Sequence, residues 1–194
     1  MEWNFDWFTR PIFHEDGSAN FLGLNYYTSF MARELKPGEP GNHIQVDRDS
    51  GVAWSHSNKW KTIGPPGSWL QDYPQGFRKL LNYIKHKYNN VTVLITENGC
   101  MDTLGEELHD ETRIAYLAEH LKTISLGSDK CNVIGYTLWS LLDNFEWDQG
   151  YKFRFGIYHV DFEDADRKRT PKKSAEWYKE IIARNSVLVD TNNA

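Results

Sequence analysis

The chain has 194 residues, of which 40% are hydrophobic and 14% aromatic, and a formal charge of −5. Such a chain can bury a sizeable core, which excludes a disordered or fibrous protein, and its scattered Lys and Arg argue against a nucleic-acid partner, which leaves a basic patch. No run is long and apolar enough to span a membrane, and its two cysteines, Cys100 and Cys131, cannot staple a small fold.

The chain opens on Met1-Glu2-Trp3-Asn4-Phe5-Asp6-Trp7, which is acidic and aromatic and has no apolar h-region of a signal peptide. It reads as the interior of a longer protein behind a methionine; a signal peptide, and with it a secreted or lumenal location, would belong to a longer parent. The first strand is expected over Asn20–Thr28. Side chains alternate along a strand, so Phe21, Gly23, Asn25 and Tyr27 share one face and Leu22, Leu24 and Tyr26 the other. Met31–Tyr73 then reads as a polar, Gly-, Pro- and Trp-rich loop on the sheet rim. After Pro74, Phe77, Leu80, Leu81, Ile84 and Tyr88 recur at helical spacing.

A second strand is expected over Val91–Glu97, with Val91, Val93, Ile95 and Glu97 on one face. Asp110 is a candidate N-cap for a helix that carries Ile114, Leu117, Leu121 and Ile124. A third strand follows over Asn132–Ser140, with Val133, Gly135, Thr137 and Trp139 on one face. The last helix is expected to open with Thr170 as cap and Pro171 at its first position, and to bury Trp177, Tyr178, Ile181 and Ile182. Residues 187–194 read as a tail and residues 1–186 as one unit. The β-α-β-α-β-α order implies parallel strands. Three βα units do not close a barrel, which needs eight strands. No Gly-rich phosphate turn supports a doubly wound nucleotide fold.

Ile95-Thr96-Glu97-Asn98-Gly99 puts a carboxylate at the mouth of a buried strand. A charge there is costly unless it is solvated, paired or used. A nucleophile that attacks the anomeric carbon of a sugar fits, with Tyr27 as a hydrogen-bond donor from the neighbouring strand. A capping or ion-paired glutamate fits the same pattern. Trp139 reads as a floor under a pyranose ring or as a core Trp. Glu146 beside Trp147 reads as a hydroxyl acceptor next to a stacking plate, or as a loop salt bridge beside an exposed Trp. The scattered histidines show no HxxxH or HExxH spacing, so neither a metal nor another cofactor is expected. Asn90-Val91-Thr92 is a glycosylation sequon at a strand entrance. Asp164–Lys173 reads as a solvated loop, and Cys100 as a buried free thiol.

Gly23-Leu24-Asn25-Tyr26-Tyr27-Thr28, Thr96-Glu97-Asn98-Gly99, Trp139-Ser140-Leu141-Leu142-Asp143-Asn144-Phe145-Glu146-Trp147 and Arg154-Phe155-Gly156-Ile157 closely resemble the C-terminal part of family 1 glycoside hydrolases. Arg169-Thr170-Pro171-Lys172-Lys173-Ser174-Ala175 resembles that family's closing helix, and Cys131–Thr137 is worded most like animal, insect-type members. The resemblance implies an α/β fold: the portion of a (β/α)8 TIM barrel around strands 6 to 8, with the site at their C-terminal rim. It implies Glu97 as nucleophile, Tyr27 as the tyrosine bonded to it, Asn25 as an asparagine near the site, and Glu146 and Trp147 as binders of glucose hydroxyls. It further implies Trp139 as the sugar platform, Phe155 as an aromatic of the pocket lining and Trp69 as the aromatic flanking the aglycone.

The family's general acid/base lies in an Asn-Glu-Pro motif, which does not occur in this chain. The expected function is retaining β-glucosidase chemistry on a small β-glucoside, with the N-terminal half of a barrel as partner. The alternatives are a non-catalytic glycan-binding or scaffold protein and a myrosinase-like thioglucosidase. Three strands without that partner leave two parallel-sheet edges open, so poor solubility or self-association is expected in sedimentation of the isolated chain.

Overall fold

Period-two alternation of apolar side chains organises a parallel sheet of three strands in the order β1 (Leu22–Asn25), β6 (Val93–Asn98), β7 (Val133–Leu138). The computed structural model describes residues 7–10, 12–13, 19–39, 49–126 and 130–187. The expected tail beyond Val187 and the opening stretch before Trp7 lie outside them. A single helical turn, α1 (Trp7–Arg10), precedes the sheet.

Leu24 and Tyr26 of the first strand and Val93 and Ile95 of the second turn to one side of the sheet. There they pack on Phe77, Leu81, Ile84 and Tyr88, the apolar stripe of helix α2 (Pro74–Lys87) and its C-cap. Pro74 at the start of α2 loses no hydrogen bond, because the first N–H groups of a helix have no intrahelical partner. Helix α3 (Glu111–Leu126) crosses from β6 to β7, buries Tyr116, Leu117 and His120, and packs beside α2 and beside α4 (Lys173–Arg184). The three expected strands and the first two helices stand where the periodicity places them, with shorter strand ends.

Five expectations change. Met31–Tyr73 is not a plain loop: it contains the antiparallel pairs β2 (Met31–Glu34) with β3 (Val52–Ser55) and β4 (Lys61–Thr62) with β5 (Gln71–Asp72). Thr170 and Pro171 do not start the last helix. Arg169–Pro171 forms β9 against β8 (Tyr158–Val160), and the helix begins at Lys173 with Lys172 extended at its N-cap. Proline is tolerated at such a strand end because no ladder donor is needed there. On this helix Ile181 is buried, Trp177 and Tyr178 are half-buried, and Ile182 is exposed.

Asp110 stands before α3, but its carboxylate accepts from the Ser174 N–H and hydroxyl at the start of α4, while Glu106 caps the Thr112 N–H of α3. Finally, the Asp164–Lys173 run is not wholly solvated, since Lys172 is buried.

Candidate active site

A register slip aims the candidate nucleophile. Leu24 pairs with Ile95, yet Asn25 pairs with Glu97, so Thr96 is an extra residue in β6. A second slip lies between Ile95 and Asn98 on the β7 side. Such bulges bend a strand and redirect side chains. Ile95 and Asn98 are both fully buried, and Glu97 does not share the face of Val93 and Ile95 as strict alternation predicts. It lies half-buried at the C-terminal rim, where the Tyr27 hydroxyl donates to its Oε2 at 2.7 Å. Burial pushes the Tyr27 phenol up, and donation to Glu97 pushes it further, so Tyr27 is a neutral donor at any working pH.

The backbone around Glu97 is fixed from below. Asn98 donates to the Tyr26 carbonyl at 2.8 Å and accepts from the Tyr136 hydroxyl at 2.7 Å. The Tyr116 hydroxyl donates to the Tyr27 carbonyl at 2.6 Å. Gly99 follows, and a Cβ on it would lie 1.8 Å from the Trp139 carbonyl oxygen, so β6 and the end of β7 meet only because this residue has no side chain. The Asn-Gly pair is a turn signal in local sequence, yet Asn98 is buried here in contact with tyrosines from β7 and α3.

Trp139, in cis peptide linkage to Ser140, is half-buried, and its indole Nε1 donates to Glu146 Oε1 at 3.0 Å. Burial raises the Glu146 carboxyl above its ordinary range, the Trp139 bond opposes that, and the Glu97 charge adds to it. The two carboxylates thus sense each other. Tyr27 is flanked edge-on by Trp69 and Phe155, each with ring centroids 5.9 Å away.

Trp69 is exposed. Phe155 is only 2% exposed and backs Tyr27 instead of lining an open pocket, because it belongs to the core cluster of Leu70, Met101, Tyr116 and Phe153. Asn25 is exposed and accepts from the Thr96 hydroxyl, so it does not touch Glu97 through that oxygen. Trp147 sits on a 3-10 turn and is 81% exposed, an open plate and not a packed one.

Sequence reading also missed an ionic cluster beneath the site. Arg113 pairs with Asp110 and Asp102, Lys172 with Asp102 and Asp143, and Arg154 with Asp143. Its trace in the sequence is Asp110 and Arg113 at helical spacing, a pattern that surface helices also show. Cys100 is buried and its thiol is pushed up to about 12, as a structural cysteine requires. Asn90 is exposed in a left-handed turn, with its amide held by Lys130 and Asn132. Among the described residues no group of His, Cys, Asp and Glu is placed to hold a metal ion, and no helix is long and apolar enough to cross a membrane.

A half-buried carboxylate held by a phenol and a second carboxylate held by an indole thus lie among aromatic rings at the sheet's C-terminal rim. Residues 10–187 match the family model "Glycosyl hydrolase family 1". β-Glucosidase 12 of Oryza sativa subsp. japonica is 46% identical over 175 residues, covering 86% of this chain and 34% of that protein. Among solved structures, an aphid myrosinase is 37% identical with a TM-score of 0.76, over 86% of this chain and 35% of the other. A rice β-glucosidase mutant in a covalent complex with glucose is 36% identical with a TM-score of 0.72, over 84% and 36%. The chain spans about a third of the length of the curated relatives it matches. It belongs to glycosyl hydrolase family 1, and its fold is part of that family's (β/α)8 barrel.

Proposed function

We propose that this chain carries the nucleophile side of a retaining β-glucosidase site. The observation that carries the reading is the Tyr27–Glu97 hydrogen bond at 2.7 Å beside a Glu146 anchored on Trp139. Tyr27 occupies Oε2 of Glu97, which leaves Oε1 to attack the anomeric carbon. The bond from that carbon to the aglycone oxygen breaks as the glycosyl ester forms. The leaving oxygen takes a proton from a carboxylic acid, and water later attacks the same carbon while that group removes its proton and Glu97 returns as a carboxylate.

No Asn-Glu-Pro supplies the acid in these 194 residues, so the proposal assigns it to the N-terminal portion of a barrel acting as partner. Trp139 is the floor under the sugar ring, and Glu146, Trp147 and Asn25 serve the sugar hydroxyls. Phe155 steadies Tyr27, and Trp69 flanks the aglycone. The covalent glucose complex of the related rice enzyme supports the ester route.

A thioglucosidase is the second reading. The likeness to an aphid myrosinase favours it, and a thiol-type leaving group depends less on an acid.

The test is an activated 2-fluoroglucoside offered to the chain together with the N-terminal portion of a family 1 barrel. One fluoroglucosyl group is expected on Glu97, with hydrolysis of a chromogenic β-glucoside. Hydrolysis without a label on Glu97 removes it as nucleophile. Sugar binding with neither label nor turnover makes the chain a glycan-binding protein. Comparing aryl O- and S-glucosides separates the two enzymatic readings.

A further inference from the structure

Lys172 is 1% exposed and lies at the N-cap of α4, outside every residue assigned above to the sugar site. A buried ammonium persists only when its charge and its three protons are met. Its Nζ donates to both oxygens of Asp102 at 2.7 and 2.8 Å, and to Asp143 Oδ1 at 3.2 Å.

Those acids belong to different arms of the site. Asp102 lies on the loop that follows Glu97, and Asp143 on the loop that leads to Glu146. Asp143 also accepts from Gly156 N at 3.0 Å, Val160 N at 3.2 Å and Arg154 Nη1 at 2.9 Å, so its acceptor positions are filled. Asp102 also receives Arg113, which donates to the Cys100 carbonyl at 3.1 Å. Asp102, Asp110 and Asp143 balance Arg113, Arg154 and Lys172, while a part-exposed His159 stands 3.6 Å from Asp143.

Asp102 takes two of the Lys172 contacts and Asp143 the third, so the ammonium joins the two arms. Asp143 is held by backbone N–H groups of Gly156 and Val160, and Asp102 by Arg113, which bonds the Cys100 carbonyl of the Glu97 arm. We propose that Lys172 is a positioning residue whose ammonium sets the separation between the Glu97 arm and the Glu146 arm. This rests on the glycosidase reading of Glu97 and Glu146.

Two readouts test it. The first needs no turnover: the Trp139 indole N–H reports on Glu146, to which it donates, and its NMR resonance is assigned with Trp139→Phe in the full chain. Lys172→Met is expected to move that resonance. Lys173→Met, which removes only an exposed pair with Glu111, is expected to leave it in place.

The second readout uses the chain joined by the N-terminal portion of a barrel. Lys172→Met is expected to lower kcat/KM for an aryl glucoside about tenfold or more, and by less than about threefold in a Glu146→Gln background, because the two changes act through one contact. A purely structural role would give equal losses in both backgrounds. Asp102→Asn, at a part-exposed side chain, loosens the same bridge and replaces Lys172→Met if that variant fails to fold.

An unmoved Trp139 resonance in the folded variant, or additive losses, overturns the proposal. An inactive wild-type assembly with a shifted resonance overturns the glycosidase reading instead, and leaves the bridge standing.

Discussion

Adding one methyl group at Gly99 is the sharpest perturbation available. The Cβ of Gly99→Ala would meet the Trp139 carbonyl oxygen at 1.8 Å, where real Cβ atoms keep at least 3.0 Å, a shortfall of about 1.2 Å. The obstacle is backbone on a paired strand and cannot swing aside, so β6 and the end of β7 must separate. Overpacking of that kind costs about 1–3 kcal/mol. Displacing reacting groups by about 1 Å costs on the order of a hundredfold in rate.

Gly23→Ala in the neighbouring strand is the matched control, since its Cβ meets only the Thr96 side chain at 3.3 Å. Urea denaturation of the chain should show Gly99→Ala destabilised by about 2 kcal/mol and Gly23→Ala by less than about 1 kcal/mol. Fluoroglucoside labelling of Glu97 in the reconstituted barrel should slow about a hundredfold for the first and little for the second. Gly99→Ala melting and labelling like the wild type would refute the steric argument.

Two further outcomes are expected. Tyr27→Phe keeps the ring contacts to Trp69 and Phe155 but removes a donor to a charged acceptor, worth about 1.5–3 kcal/mol, so labelling of Glu97 should slow about ten- to a hundredfold; an unchanged rate counts against Tyr27 as the partner that matters. His120 is fully buried against Tyr116, and burial lowers its pKa from 6.5 to about 4. The unfolded chain therefore takes up this proton before the folded one does. The His120 contribution is complete above about pH 6.5 and is lost as pH falls through about 4, roughly 3 kcal/mol in all. Denaturation curves from neutral pH down to pH 4 should lose part of that acid slope in His120→Gln, and equal slopes in the two proteins would remove His120 as the source.

The parts of this molecule written in short-range periodicity were legible. Leu24, Val93 and Ile95 alternate as buried strand residues do, and Phe77, Leu81 and Ile84 recur as a helix face does, so the sheet and its crossover helices followed from spacing. Glu97, Tyr27, Trp139, Glu146 and Trp69 stood out as candidates because their motifs resemble a known family, and the structure brings Tyr27 to Glu97, Trp139 to Glu146 and Trp69 to Tyr27.

What stayed hidden depends on the third dimension. The extra Thr96 in the ladder is set by pairing between strands, and no local propensity marks it. Thr170-Pro171 carries a sound helix-start signal that pairing with Tyr158–Val160 overrides. Lys172 looks like any charge in a charged run; only the two acids brought to it from the β6 and β7 loops make it buried.

The excursion from Met31 to Asp72 leaves and rejoins the rim at two residues tied to each other. Thr28 Oγ1 donates to the Gln71 carbonyl at 2.7 Å and accepts from the Gln71 N–H at 3.1 Å. With its ends clamped and Ile63 and Leu70 seated in the core, the exposed parts of the segment can change length at little cost, because loop-closure entropy grows only slowly with length. On the proposed glycosidase reading, the exposed wall that carries Trp69 can therefore diversify while Tyr27 and Glu97 stay in place, which would uncouple the evolution of leaving-group choice from that of bond cleavage.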